Sequence, residues 1–220
     1  MNILLICNKK NLLGNKLVID STLYCNNGVT FYIWLTEDIG EEEKKNIKNL
    51  VEYLDGESRV FFEYVEGFFE KYFYFIDDLL YLSADTLVTQ TIEHLYEAWA
   101  EDARKTIIVN EITEEFTEQR YPIIFFNLAK VRKTSTNLII DTNDSEITIL
   151  DCDGIELDYF EDSRIGFKGK FSFNFNMPII FWFTNENKKI YEIDLPTWFS
   201  LYPDFEPMVR QIFLSETIKF

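Results

Sequence analysis

Residues 58–76 read SRVFFEYVEGFFEKYFYFI, and the period assigned to that stretch decides the architecture of the chain. Val60, Phe61, Tyr64, Val65, Phe68, Phe69, Tyr72, Phe73 and Ile76 recur in a repeat of four. Against a helical turn of about 3.6 residues this stripe drifts by about 40° per step, so it wraps a wide arc. The expectation is a helix buried on two sides, or one that offers aromatics to a partner, with Glu63, Glu66 and Glu70 outside the arc.

The flanking segments extend that helical reading. Glu41-Glu42-Glu43 places negative charge on a first turn, which the helix dipole favours, and Ile47, Leu50, Val51 and Leu54 follow at helical spacing before Asp55-Gly56 ends the run. A third helix, roughly Ala84 to Arg104, sets Val88, Ile92, Leu95, Tyr96 and Trp99 on one face. Upstream, apolar rows at Leu17–Ile19 and Val29–Leu35 around Asn26-Asn27-Gly28 read as a hairpin.

From about Tyr121 the period becomes alternating. Phe167, Phe171, Phe173 and Phe175 alternate with Lys168, Lys170, Ser172 and Asn174, the pattern of a strand with one wet face. Between Glu146 and Phe160 a three-residue loop, Cys152-Asp153-Gly154, makes a hairpin that sets Ile149 against Leu157 and Ile147 against Tyr159. Pro178 to Thr184 reads as a strand covered on both faces, and Lys189 to Leu195 as a further strand. The expected fold is a single α+β domain over 1–220. It has an N-terminal hairpin (1–36), an acidic, aromatic-rich layer of about three helices (37–104), an antiparallel meander (121–195), and a loop with a short helix (196–220).

Composition narrows the function classes. Thirty-eight Asp and Glu against twenty-one Lys and Arg give a net charge of −17, in a chain where 37 of 220 residues are aromatic. Residues 37–103 carry −13 of that charge. Such a surface repels nucleic acid and anionic membranes, so neither is an expected partner. The three cysteines, Cys7, Cys25 and Cys152, form no C-x-x-C pair, and no apolar run reaches the length of a membrane span. Reduced thiols in a soluble, cytoplasmic protein are the expectation.

No catalytic signature stands out. The run 141–162 holds nine carboxylates and no Lys or Arg, and Asp141, Asp151 and Asp153 are its candidate metal ligands. The spacing fails the calcium-loop pattern, however, and the hairpin register puts Glu156 and Asp158 on a wet strand face instead. No metal or other cofactor is therefore expected. His94 lacks a nucleophile placed to use it. Glu186-Asn187-Lys188 follows an apolar strand as a nuclease motif would, but these are also hairpin-turn residues.

Ile112-Thr113-Glu114-Glu115-Phe116, then Asp153-Gly154 and Tyr159-Phe160-Glu161-Asp162, resemble the layout of small acidic bacterial domains, some of them similar to immunity proteins of polymorphic toxins. The resemblance covers residues 112–165, and the Gly-His pair expected just beyond is missing. It implies a non-enzymatic binding protein that occludes a basic protein partner. Glu41, Glu42, Glu43, Glu63, Glu66, Glu70, Glu156 and Asp158 are the expected contact residues, with a homodimer also compatible. The alternatives are a nucleic-acid mimic that blocks a DNA-binding protein and a metal-dependent enzyme using the 141–162 carboxylates.

Overall fold

The computed structural model describes residues 1–64, 74–88, 90–101, 107–110, 123–134, 138–141, 148–152, 157–160 and 180–182. The chain opens with β1 (Asn2–Cys7), α1 (Leu12–Cys25), β2 (Thr30–Leu35), α2 (Glu41–Leu54) and β3 (Arg59–Tyr64). Then come β4 (Asp78–Leu82), β5 (Thr86–Val88), α3 (Glu93–Glu101), β6 (Ile107–Asn110), β7 (Ile123–Asn127) and α4 (Leu128–Thr134). The last elements are β8 (Leu138–Asp141), β9 (Thr148–Cys152), β10 (Leu157–Phe160) and β11 (Ile180–Trp182).

Seven strands form one sheet in the order β10-β6-β7-β4-β1-β2-β3. β1 pairs in parallel with both β2 and β4, β2 pairs in parallel with β3, and β10 in parallel with β6. Only β7 runs against its neighbours. The sheet is therefore mixed and mostly parallel, which corrects the expected antiparallel α+β arrangement. A parallel sheet is covered on both faces, so its strands read as unbroken apolar runs and lose the alternation that marks a half-wet strand.

That loss explains the misreading of 58–76. Arg59–Tyr64 is a strand, Tyr74 and Phe75 lie in a turn, and residues 65–73 fall outside the described part. Val60 and Phe62 pack toward the core on the α2 side while Phe61 stacks on Tyr32 from the other face. Apolar side chains on both faces of this strand imitate a helical stripe.

The expected N-terminal hairpin is likewise a parallel β-α-β unit, with Leu17–Ile19 inside α1. This helix touches β1, α2 and β5, so it is buried nearly all round and has no wet face to betray its period. The helix expected from Glu41 is present over Glu41–Leu54, with Ile47 and Val51 buried. The third expected helix is shorter, Glu93–Glu101, because Thr86–Val88 is a strand that pairs antiparallel with Ile180–Trp182. Ile149 faces Ile140 of β8, while Leu157 lies opposite Ile107 of β6, so the hairpin assigned to Glu146–Phe160 does not form. Side-chain alternation reports which face is wet but not which neighbour supplies the backbone partner. Residues 167–175 and 189–220 lie outside the described part.

One core cluster lies on the α1/α2 side of the sheet, where Ile3, Leu5 and Cys7 of β1 stand beside Phe31, Ile33 and Leu35 of β2 and beneath Val18, Ile19, Ile47 and Val51, while Leu4, Ile6, Trp34 and Tyr81 are buried on the other face. Polar clasps fasten the edge where β2 and β3 begin. Asp55 accepts from the Gly28 N–H (2.8 Å), the Glu57 N–H (3.1 Å) and the Ser58 hydroxyl (2.6 Å), while Ser58 Oγ accepts from the Val29 N–H (2.8 Å). Gly28 sits at φ +64°, a conformation that favours glycine. Asn26 Oδ1 accepts the Ile92 N–H at 2.9 Å, which anchors the entry to α3.

Asp20, buried on α1, has its carboxyl pushed up to about 6 by desolvation. Because the folded value lies above the unfolded one, the native state holds its proton more tightly. Stability from this group therefore falls as pH rises from about 4 to about 6. Asp20→Asn is expected to raise unfolding stability by roughly 1–3 kcal/mol at pH 7.5 and to change little at pH 4, measured by urea titration. No gain at pH 7.5 would contradict the buried-charge penalty.

Candidate functional site

β1 lies mid-sheet, and the chain adds β2 and β3 on one side of it before returning to place β4 on the other. The strand order therefore reverses between β1 and β4, and the elements that follow them, α1 and β5, pack against each other. In open sheets of this kind the crevice at such a switch point is where ligands bind. Here it is bordered by Asn8-Lys9-Lys10-Asn11 after β1 and by Ser83-Ala84-Asp85 after β4.

The first loop is locked by asparagines. Asn11 Oδ1 accepts the Asn8 N–H at 2.7 Å, and Asn8 Oδ1 accepts the N–H groups of Lys10 (2.9 Å) and Asn11 (3.0 Å). Asn11 and Asn15 both donate side-chain N–H to the Ile6 carbonyl at 2.9 Å. With the amides committed inward, Lys9 and Lys10 stand exposed at the mouth. The Lys9 N–H donates to Glu37 Oε1 at 2.6 Å, tying this loop to the one after β2. No side chain caps the start of α1, so the positive end of its dipole opens on the same crevice.

The second loop is a tight turn in which the Ser83 carbonyl accepts the Thr86 N–H (3.1 Å) and the Thr86 hydroxyl (2.7 Å). α1 meets the second loop at Gly14, where an added Cβ would lie 2.5 Å from the Ala84 carbonyl oxygen. Asp85 is partly exposed at this turn. Together these loops offer two ammonium groups, a helix N-terminus and one carboxylate, a set suited to an anionic ligand that also carries hydroxyls. Cys7, just beneath, is no nucleophile, since burial pushes its thiol up to about 12 and keeps it protonated.

Among the described residues, the expected contact carboxylates are distributed over α2, β3 and β10. Glu41 and Glu42 are exposed on the first turn of α2, Glu43 bonds Lys16 at 3.0 Å, and Lys44 lies 2.8 Å from Glu41 and 3.6 Å from Asp38. Glu63 is half-buried on β3, and Asp158 lies in β10 opposite Ile108. Glu66, Glu70, Glu156 and Asp153 lie outside the described residues, as does Glu186-Asn187-Lys188. Asp141 and Asp151 belong to the paired strands β8 and β9. Among the described residues no three His, Cys, Asp or Glu side chains converge as metal ligands. His94 is exposed on α3, whose start is held by Asn26 near the amino ends of the parallel strands, away from the crevice at their carboxyl ends. No described helix is long and apolar enough to cross a membrane.

Sequence reasoning missed Asn8–Asn11, Gly14 and Ser83–Asp85. The available signal was the form of the segments, an apolar run (NILLIC, and later LLYL) that breaks off into a short polar loop.

No family model matches the chain, and no curated protein matches it in sequence. Solved structures do match its fold. An active-site mutant of LgtC superposes over 96% of this chain and 96% of its own length, at TM-score 0.63 and 14% identity. The galactosyltransferase LgtC in complex with donor and acceptor sugar analogs covers 100% of this chain and 97% of its own, at TM-score 0.61 and 15% identity. The glycosyltransferase GlyE of Streptococcus pneumoniae TIGR4 covers 100% of this chain and 64% of its own, at TM-score 0.61 and 13% identity.

The fold is that of these glycosyltransferases. This overturns the resemblance to immunity proteins, since Ile123–Asn127 and Leu157–Phe160 are strands of the large mixed sheet and not parts of a small acidic domain. It also overturns the non-enzymatic acidic protein that occludes a basic partner, together with the nucleic-acid mimic offered beside it. At the start of α2 the acids expected to meet that partner are partly answered by Lys16 and Lys44 of the same chain.

The close approach at Gly14 has a direct test. Gly14→Ala forces a methyl group against a backbone oxygen that cannot swing aside, and a loss of about 1–3 kcal/mol in urea unfolding is expected. Unchanged stability would mean that α1 and the Ser83–Asp85 turn are not locked together.

Proposed function

We propose that this chain is a glycosyltransferase that takes a sugar from a nucleotide-activated donor, with the donor seated between Asn8–Asn11 and Ser83–Asp85. The observation that carries the reading is the coincidence of two independent facts. The chain shares its fold over nearly its whole length with LgtC, which was solved with donor and acceptor sugar analogs, and the strand order of its sheet reverses between β1 and β4, the strands that lead into those two loops.

In such a transfer the bond between the sugar's anomeric carbon and the departing phosphate oxygen breaks, a bond to an acceptor hydroxyl oxygen forms, and the hydroxyl proton is released. Negative charge grows on the leaving diphosphate, so groups that stabilise it there lower the barrier. Lys9, Lys10 and the uncapped start of α1 supply positive potential at the crevice, in a chain whose net charge is −17. Asn8 and Asn11 serve as positioning residues that hold the lysine loop in place. Asp85, the carboxylate of the second loop, accepts hydroxyl donors from the nucleotide ribose or the sugar.

Incubating the purified protein with a panel of nucleotide sugars and measuring release of free nucleoside diphosphate tests the proposal. One donor class is expected to turn over. Asp85→Asn is expected to reduce kcat/KM about 100-fold, and Lys9→Ala combined with Lys10→Ala to weaken donor binding about tenfold. Absence of turnover and of calorimetric binding across uridine, guanosine, adenosine, cytidine and thymidine diphosphate sugars would overturn the reading.

A further inference from the structure

β1 ends at Cys7 and β2 at Leu35, and the two strands part where the candidate crevice begins. Cys7 stands opposite Leu35, and the Thr36 N–H donates to the Cys7 carbonyl at 3.1 Å. In a parallel ladder the next rung would run from the Lys9 N–H to the Thr36 carbonyl. The Lys9 N–H donates instead to Glu37 Oε1, at 2.6 Å, so a side chain takes the place of the backbone acceptor where the strands separate.

Of the backbone amides in Asn8–Asn11, that of Lys9 is the one met from outside the loop. The Asn8 N–H goes to Asn11 Oδ1, and the Lys10 and Asn11 N–H groups go to Asn8 Oδ1. Those bonds set the internal shape of the loop, and the Asn11 and Asn15 amides fasten its base to the Ile6 carbonyl. The Glu37 bond fastens it sideways, across to the loop after β2.

The loop after β2 is itself pinned. Ile39 is buried in the core cluster, Asp38 Oδ1 accepts the Gly40 N–H at 3.0 Å, and the Lys44 ammonium lies 3.6 Å from the same oxygen. The Lys44 N–H donates to the Gly40 carbonyl at 3.2 Å as α2 begins. Glu37 therefore projects from a fixed post and restrains a segment that carries two exposed lysines.

Glu37 has two opposed effects on an anion in the crevice. Its charge repels the anion, and its hydrogen bond orders the lysine loop beforehand. Glu37 is exposed, so the repulsion is screened by water and salt, whereas the charge-assisted bond to Lys9 acts at contact. A loop already held in place also loses less freedom when a ligand binds. We propose that Glu37 is a positioning residue of the donor site, its carboxylate fixing the Lys9 amide and so holding Lys9 and Lys10 where the diphosphate is met. This role rests on the donor site proposed above.

Calorimetric titration of the full chain with uridine, guanosine, adenosine, cytidine and thymidine diphosphates tests the role. For whichever diphosphate the native chain binds, Glu37→Ala is expected to raise Kd about tenfold, and Glu37→Gln, which keeps an acceptor oxygen, to stay within about threefold of native. In the free chain, Glu37→Ala is expected to speed exchange of the Lys9 amide about tenfold, read by NMR, while the Thr36 amide one rung back is unchanged. A Glu37→Ala chain that binds as well as native or better, or a Glu37→Gln chain as weak as Glu37→Ala, would overturn the role and leave the donor site standing. Lys9 exchange that does not change, or that rises together with Thr36, would equally overturn it, since a general loosening is not a clamp. A native chain that binds none of the five diphosphates removes the donor site, and this role with it.

Discussion

The structure depends on one constraint: β1 is enclosed on every side. Ile3, Leu4, Leu5, Ile6 and Cys7 are each at most 1% exposed. Both edges of the strand pair in parallel, with β2 and with β4. A strand buried in this way cannot turn back in a tight hairpin, because a parallel neighbour requires a crossover, and α1 supplies it on a face that must itself be covered. Burying each CH2 contributes about 0.8 kcal/mol, so a five-residue apolar strand is among the largest local terms in the fold. The placement of β2, β3 and β4 around it creates the switch point, and with it the crevice.

This constraint also governs what could be read from sequence. α2 was legible because it lies on the surface, and its buried Ile47 and Val51 stand out against exposed Glu42, Lys45 and Lys48. α1 and the central strands were not legible as what they are. With apolar residues on all sides of α1 and on both faces of β1, β2 and β4, neither period survives in the pattern. The 58–76 stripe failed for the same reason, as Phe61 and Phe62 face opposite sides of the sheet. The site was less visible still, since asparagines, lysines and one aspartate carry no spacing that marks them. Topology brings together positions more than seventy residues apart, and no local pattern encodes that meeting.

The electrostatic picture changes accordingly. A net charge of −17 suggested a surface shaped for a basic partner, yet at the start of α2 part of the acid is met by Lys16 and Lys44. The lysine pair at positions 9 and 10 gains weight against this background. On the proposed reading, a small positive patch in an acidic surface would favour a compact anion over an extended polyanion. That distinction separates a nucleotide from a nucleic acid.

Hydrogen exchange of the backbone amides, compared with and without a saturating nucleoside diphosphate, tests most directly whether the switch point is the donor site. The account predicts added protection in Asn8–Asn15 and Ser83–Thr86, and none in the Gly28 and Asp55 clasp at the opposite edge. Protection confined to that opposite edge, or none in either loop while the nucleotide is bound, would contradict it.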